Sequence, residues 1–335
     1  MKVAINGFGR IGRLVLRLLD GDSDLELVAI NDLSKPEDLA YLLKYDTNHR
    51  NYKVDSITSD EDELIIDGKH IKVFAESDPS KLPWKDLDID IVFECTGHFT
   101  DKDKANAHIQ AGAKRVIISA PATGDLKTIV YGVNEETLDS NDIIISAASC
   151  TTNALAPVVD VIDKEYGIVK GFMNTVHAYT NDQATLDIAH PKGYMSRRGR
   201  ACAMNIVPAS TGAAKAIGKV IPKLEGKLDG MALRVPTSTG SVIDIVLELE
   251  KNTSKEEINS LLESKKGDVI GFTMDPIVSS DVIGTNKATV VDGLSTNVLD
   301  VDGKQLIKVI TWYDNEMGYT TQMVRTAKYL SKIMN

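Results

Sequence analysis

The sequence predicts an α/β protein in two parts: a doubly wound, largely parallel sheet, then an α+β domain built on a mixed, largely antiparallel sheet. Three observations predict it. Strand and helix patterns alternate through residues 1–149, as a parallel sheet with crossover helices requires. A Gly-x-Gly-x-x-Gly run, Gly7-Phe8-Gly9-Arg10-Ile11-Gly12, separates the first strand pattern from the first helix pattern. After Cys150 the texture changes to longer β-rich runs, and 335 residues suffice for two domains.

Residues 2–6 read as a strand and 10–19 as a helix with Ile11, Leu14, Val15 and Leu18 on one face. In the run between them, glycines let the chain turn tightly, approach a pyrophosphate and pack the helix on the sheet. Residues 26–31 form a second strand ending at Asp32, 20 residues past Gly12, where an acid normally binds the adenosine ribose hydroxyls. Glycine spacing alone is a weak signal. With strand, helix and acid in place it specifies a dinucleotide site on a Rossmann-type sheet.

Residues 39–45 suggest a short helix, and 52–73 antiparallel strands turning near Asp67-Gly68. Residues 90–96 and 115–119 are apolar strands typical of a sheet covered on both faces, with a helix at 102–111 between them. Cys95 falls inside the first of these and reads as core. Thr96-Gly97 and Ser119-Ala120-Pro121 follow strand carboxyl ends, where open α/β sheets hold ligands.

Residues 141–146 carry three consecutive isoleucines and read as a buried strand. Cys150 follows where that strand stops. Residues 153–162 place Leu155, Val158, Val159 and Ile162 at helical spacing, with Pro157 near the first turn. A thiol at a helix N-terminus meets unpaired backbone N–H groups and the positive end of the dipole, both favouring thiolate. Free cysteines are also commonly just buried, and this stretch alone leaves the two readings level.

Runs at 170–179, 231–236, 241–250, 288–292 and 306–313 make up the mixed sheet of the second domain. Residues 254–264 form a helix with Ser254 as cap and Glu257 three positions on. Residues 183–203 lack periodicity and hold Arg197-Arg198-Gly199-Arg200. They read as a long ordered loop, which usually carries function or an interface. The final helix, 319–334, sets Met323, Ala327, Leu330 and Met334 on one side.

Three cysteines are too few for a disulfide framework and point to a reducing compartment. No apolar run approaches membrane-spanning length, so a cytoplasmic protein with no membrane contact is expected. A formal charge of -10 argues against nucleic acid as partner, so anionic ligands must be held by local basic groups.

A reactive cysteine needs a base. His177, at an apparent strand end, is one of six histidines and by itself is more often structural. Cysteine plus base is nevertheless the recurring nucleophilic arrangement. The chain here resembles the phosphorylating glyceraldehyde-3-phosphate dehydrogenases. The resemblance is carried by Ile5-Asn6-Gly7-Phe8-Gly9-Arg10-Ile11-Gly12, Ala148-Ser149-Cys150-Thr151-Thr152-Asn153 and His177-Ala178-Tyr179-Thr180. It continues in Ser210-Thr211-Gly212-Ala213-Ala214-Lys215, Arg234-Val235-Pro236-Thr237 and Trp312-Tyr313-Asp314-Asn315-Glu316-Met317-Gly318-Tyr319.

The resemblance implies that Cys150 attacks an aldehyde, that His177 takes its proton and bonds the developing oxyanion, and that inorganic phosphate attacks the thioester left after oxidation. It assigns the phosphate of glyceraldehyde 3-phosphate to Arg234 and Thr180. Ser149, Thr151, Thr211 and Gly212 receive the attacking phosphate, with Arg198 near both. For NAD it implies Gly7, Gly9, Gly12, Arg10 and Ile11 at the pyrophosphate, Asp32 at the ribose and Ser77 beside the adenine. Ser119 falls near the nicotinamide half and Asn315 at the carboxamide. No metal is implied. The implied domains are 1–149 for NAD, completed by a C-terminal helix at 316–335, and 150–315 for catalysis. A homotetramer is implied too, with the loop 183–203 near a neighbouring subunit's cofactor.

Some positions depart from the family pattern. Ser77 stands where many relatives have arginine, Ala154 where a cysteine is common, and Ile188-Ala189 where strictly NAD-dependent relatives show Leu-Pro; Cys95 and Cys202 are not family cysteines. A semialdehyde or erythrose-phosphate dehydrogenase would share the two-domain plan and the Cys–His pair, but the matched phosphate residues favour a three-carbon phosphate. A cysteine hydrolase would not need the fingerprint and Asp32, and a non-enzymatic NAD-binding protein would not need Cys150, His177 and Arg234.

Overall fold

The structure is a computed structural model that describes residues 1–333. Met334, placed above on the apolar side of the last helix, lies outside them. The chain divides into two compact units: Met1–Ser149 with the stretch from Met323 onward, and Cys150–Gln322.

The first unit runs β1 (Lys2–Asn6), α1 (Arg10–Leu19), β2 (Glu26–Asn31), α2 (Pro36–Lys44), β3 (Ile57–Ser59), β4 (Glu63–Ile66), β5 (Lys69–Phe74), β6 (Ile91–Glu94), α3 (Lys102–Gln110), β7 (Arg115–Ile118) and β8 (Ile144–Ser146). Among the described residues these strands form one sheet ordered β3-β4-β5-β2-β1-β6-β7-β8. It is parallel from β5 to β8, with β3 and β4 added antiparallel at one edge. Val3, Ala4 and Ile5 of β1 are all fully buried, as a strand covered on both faces must be. The order reverses at β1, so the crevice beyond Asn6 is the topological switch point where such sheets bind ligands.

Two glycines of the fingerprint are sterically required. Gly7 has φ +91°, and a Cβ there would come within 2.7 Å of the Thr96 backbone nitrogen. A Cβ on Gly12 would come within 2.2 Å of the Gly7 carbonyl oxygen. Below the crevice lies a buried polar network. Trp84 Nε1–H donates to His108 Nδ1 at 3.0 Å, and an indole can only donate. The His108 proton therefore sits on Nε2, which faces Glu94 Oε2 at 3.1 Å. Asn6 Nδ2 donates to the same carboxylate oxygen at 2.5 Å, tying β1 to β6.

The second unit runs α4 (Cys150–Tyr166), β9 (Ile168–Ala178), β10 (Val207–Ser210), α5 (Ala213–Val220), β11 (Leu228–Val235), β12 (Ser241–Leu249), α6 (Lys255–Ser264), β13 (Ile270–Thr273), β14 (Thr289–Val301) and β15 (Lys304–Tyr313). α7 (Met317–Ile333) follows, its later residues belonging to the first unit. The described sheet is ordered β10-β11-β9-β12-β15-β14-β13 and is mixed: β11/β9 and β13/β14 are parallel, the rest antiparallel. β12 alternates, with Ser241, Ile243, Ile245 and Leu247 buried. α6 has the expected capping box between Ser254 and Glu257.

Several boundaries differ from the sequence reading. The helix expected at 153–162 starts at Cys150, so Pro157 lies well inside it, where it removes one intrahelical hydrogen bond. β6 ends at Glu94. Cys95 therefore lies just past the strand's carboxyl end, half-buried as a residue with its thiol turned inward, and its N–H donates to Asn6 O. β14 continues nine residues past the expected end, through an irregularity between Asp292 and Asn297 that disguises its alternation. β10 has no counterpart in the sequence reading; it holds Pro208 and is an edge strand, where proline is tolerated.

Candidate active site

In the first unit a cavity of about 540 Å³ opens at the switch point, lined by Asn6, Gly7, Gly9, Asp32, Ser77, Cys95 and Thr96 among others. Asp32 Oδ2 accepts the Phe8 N–H at 2.8 Å and Oδ1 the Ser34 N–H at 2.9 Å, so the acid is fixed against the glycine turn. Nothing lies within 4 Å of where a Gly9 Cβ would point, which leaves that face open to a bulky anion. The Arg10 guanidinium is bound to Asp46 at 2.5 and 3.0 Å, so a pyrophosphate there would be met by backbone N–H groups of Arg10 and Ile11 at the start of α1. Ser119 lies beside the Cys95 thiol, which burial pushes well above the ordinary range. An open glycine face, a helix N-terminus and an anchored acid at one crevice fit a dinucleotide.

Cys150 and His177 are brought together in the second unit. Ala148, just before it, takes φ 58°, a left-handed conformation that disfavours a non-glycine residue by roughly 1–2 kcal/mol. The turn is held by Ala148 N–H donating to Ser146 Oγ at 3.1 Å, while that hydroxyl donates to Ala120 O. Cys150 is the first residue of α4, and its Sγ lies 3.4 Å from His177 Nε2. Burial pushes the thiol up, outweighing the nearby Arg234 charge and the backbone N–H groups. The helix N-terminus foreseen from sequence is present, but desolvation is the larger effect. Burial, and then Arg234, hold His177 at about 3. Both shifts run in the same direction, favouring thiol and imidazole over the ion pair.

The tautomer of His177 follows from its partners. Nδ1 lies 2.7 Å from Ala178 O, which can only accept, so Nδ1 carries the proton. Arg234 Nη1 is 3.0 Å from Nδ1, but its two hydrogens go to Ala178 O and Thr180 Oγ1, each at 3.0 Å. Nε2 is left as an acceptor aimed at Cys150. Thr180 Oγ1 in turn donates to Asp182, which also holds Arg198. Asp182 was missed in the sequence reading. Arg234 Nε is buried without a partner among the described residues, an orphan donor suited to an anion.

The remaining predicted residues fall into place unequally. Thr151 Oγ1 is engaged by the buried Tyr313 hydroxyl at 3.0 Å, which also meets Thr175 Oγ1 at 2.8 Å. Thr211 Oγ1 accepts the Ala213 N–H and Gly212 is the N-cap of α5. α5 packs on α4, the helix that Cys150 begins and Ser149 precedes. Asn315 is buried with its amide oxygen against Ser241 and Thr239.

Residues 1–102 match the family model described as the glyceraldehyde 3-phosphate dehydrogenase NAD binding domain, and residues 149–315 that of its C-terminal domain. The chain is 55% identical over 332 residues to the glyceraldehyde-3-phosphate dehydrogenase of Clostridium pasteurianum, covering 99% of both chains. The chain belongs to the glyceraldehyde-3-phosphate dehydrogenase family. The enzyme of that name from Clostridium acetobutylicum is likewise 55% identical over 99% of each chain, and that of Streptococcus pyogenes 50% identical over 334 residues. Of the residues the family motifs flag, Cys150, His177, Thr180, Arg198 and Arg234 are linked in one network here. Asp182, which joins that network, and Tyr313, which binds Thr151 and Thr175 beside it, carried no signal of their own in the sequence beyond standing inside matched strings or beside them.

Proposed function

We propose that the protein oxidises glyceraldehyde 3-phosphate with NAD and inorganic phosphate to 1,3-bisphosphoglycerate, as an NAD-dependent phosphorylating aldehyde dehydrogenase of glycolysis. The observation that carries the reading is Cys150 Sγ at 3.4 Å from an unprotonated His177 Nε2, beside a buried arginine with an orphan donor. NAD, when bound, accepts the hydride from the substrate carbon.

The chain's own residues do the rest. His177 Nε2 takes the thiol proton as Sγ bonds the aldehyde carbon, and returns it to the oxygen of the thiohemiacetal. The protonated His177 imidazole and the backbone N–H of Cys150 stabilise charge on that oxygen. His177 withdraws the hydroxyl proton again as the carbon is oxidised, leaving a Cys150 thioester. Phosphate oxygen then attacks the thioester carbon, the C–S bond breaks, and Sγ leaves with the pair and takes the proton back from His177 Nε2, restoring thiol and neutral imidazole. Because burial disfavours a free thiolate, transfer to Nε2 accompanies attack rather than preceding it.

Arg234 and Thr180 hold the substrate phosphate; Ser149, Thr151, Thr211 and Gly212 hold the attacking phosphate, with Arg198 near both. Charged forks, hydroxyls and helix N-termini are the donors an acidic protein needs for two anions. For NAD, the glycine turn with Arg10 and Ile11 takes the pyrophosphate, Asp32 the ribose, Ser77 the adenine edge, and Ser119 and Asn315 the nicotinamide. Residues 1–149 with the C-terminal helix bind NAD, and 150–315 carry catalysis.

The same reading has the protein working in the cytoplasm as a homotetramer. No helix among the described residues is long and apolar enough to cross a membrane. Phe172, Met231 and Leu306 expose apolar side chains on the second sheet, and Leu186, Ile188 and Tyr194 on the loop 183–203, surface that a neighbouring subunit would cover. NADH absorbance with glyceraldehyde 3-phosphate tests the activity: reduction should need phosphate for sustained turnover, and phosphate-independent turnover would refute it. Light scattering on the eluting protein tests the tetramer.

A further inference from the structure

Ser241, at the start of β12, is 1% exposed and belongs to none of the residues assigned above. Its Oγ accepts the backbone N–H of Ala178, the residue after His177, at 3.1 Å. Its hydrogen goes to Asn315 Oδ1, 2.9 Å away. Thr239 Oγ1 lies 3.4 Å from the same oxygen while donating to Asp314 at 3.0 Å. The Asn315 amide therefore has its oxygen turned toward two hydroxyls. Reversing it would bring the NH₂ group against Ser241 and leave the serine proton without an acceptor. Nδ2 makes no hydrogen bond among the described residues.

We propose that Ser241 is a positioning residue for the cofactor: it locks the Asn315 amide with Nδ2 outward, as donor to the nicotinamide carboxamide oxygen. Through the Ala178 N–H the same hydroxyl ties that amide to the strand end carrying His177. One side chain thus fixes both the group that orients the cofactor's reactive ring and the backbone beside the base. The proposal rests on the assignment of Asn315 to the carboxamide.

Calorimetric titration of the intact protein with NAD and with ADP-ribose, which lacks the nicotinamide, tests it. Ser241→Ala should weaken NAD about fivefold to tenfold, the effect of one net hydrogen bond, and leave ADP-ribose unchanged. In an Asn315→Ala background the serine substitution should add nothing, because the two act as one unit. Equal weakening of both ligands, no weakening of either, or an additive double variant would overturn the role of Ser241 while Asn315 stands. An Asn315→Ala protein that binds NAD as the wild type does would overturn the carboxamide assignment and this proposal with it. Should Ser241→Ala not fold, Ser241→Cys keeps the volume with only a weak donor and is read the same way.

Discussion

Arg234 lies directly opposite His177 in the register of the parallel strands β11 and β9. Its Nη1 shares the Ala178 carbonyl with His177 Nδ1, so the arginine expected to bind substrate meets the imidazole on the side away from the nitrogen that faces Cys150. The pairing explains why the two functions sit side by side although the residues are 57 positions apart.

Arg234→Leu should raise the glyceraldehyde 3-phosphate requirement far more than that for NAD. Loss of hydrogen bonds to a charged group costs about 1.5–3 kcal/mol. That corresponds to roughly tenfold to 150-fold in kcat/KM. If unphosphorylated glyceraldehyde and the phosphate ester lose equally in this variant, Arg234 does not hold the phosphate.

His177→Asn should lower the chemical step by roughly a hundredfold to ten-thousandfold, the range for a positioned acid–base group. Since burial keeps Cys150 a thiol, removal of the acceptor at 3.4 Å should also slow iodoacetamide labelling near neutral pH. Labelling at the wild-type rate would show that the pair does not interact.

Cys150→Ser should abolish nearly all turnover while NAD still binds, because a serine hydroxyl is a far weaker nucleophile. The check is a burst assay alongside an NAD titration. Substantial residual turnover would remove Cys150 from the mechanism.

Wild-type protein should prefer NAD over NADP by at least about a hundredfold, some ~2.7 kcal/mol at roughly 1.36 per decade. Asp32 is anchored by the Phe8 and Ser34 N–H groups, so it cannot swing away from a 2′-phosphate. The preference should shrink in Asp32→Gly. Comparable kcat/KM for both cofactors in the wild type would mean that the space at Ile188-Ala189 outweighs the repulsion.

Acid stability should depend on Asp46. Its carboxyl is held at about 2: burial opposes ionisation, but hydrogen bonds from Arg10 and the His49 N–H outweigh it. The folded value lies below the unfolded value of 3.8, so the unfolded chain binds more protons between them. The contribution, about 2 kcal/mol, is complete above roughly pH 4 and lost as pH falls through about 2. Urea midpoints for Asp46→Asn should differ from wild type strongly at pH 7 and about half as much at pH 3. A pH-independent difference would mean that the carboxyl's charge is not what stabilises.

Local patterns were legible because their physics is local. The strand–glycine–helix run around Gly7 to Gly12, the acid at Asp32, the capping box of Ser254 and Glu257, and the cysteine at a strand–helix junction each depend on neighbours a few residues away. Where the local signal misled, a tertiary term was stronger. Pro208 fits β10 because β10 is an edge, Cys95 falls outside its strand because β6 stops two residues before the expected end, and the Cys150 thiol is raised because burial exceeds the helix-end effect. The proton position on His177, the Asp182 bridge between Thr180 and Arg198, and the Ser241 link to Asn315 were decided only by tertiary structure. Each needs strands or loops distant in sequence to meet at hydrogen-bond distance, and strand register, which no short stretch encodes, sets that distance.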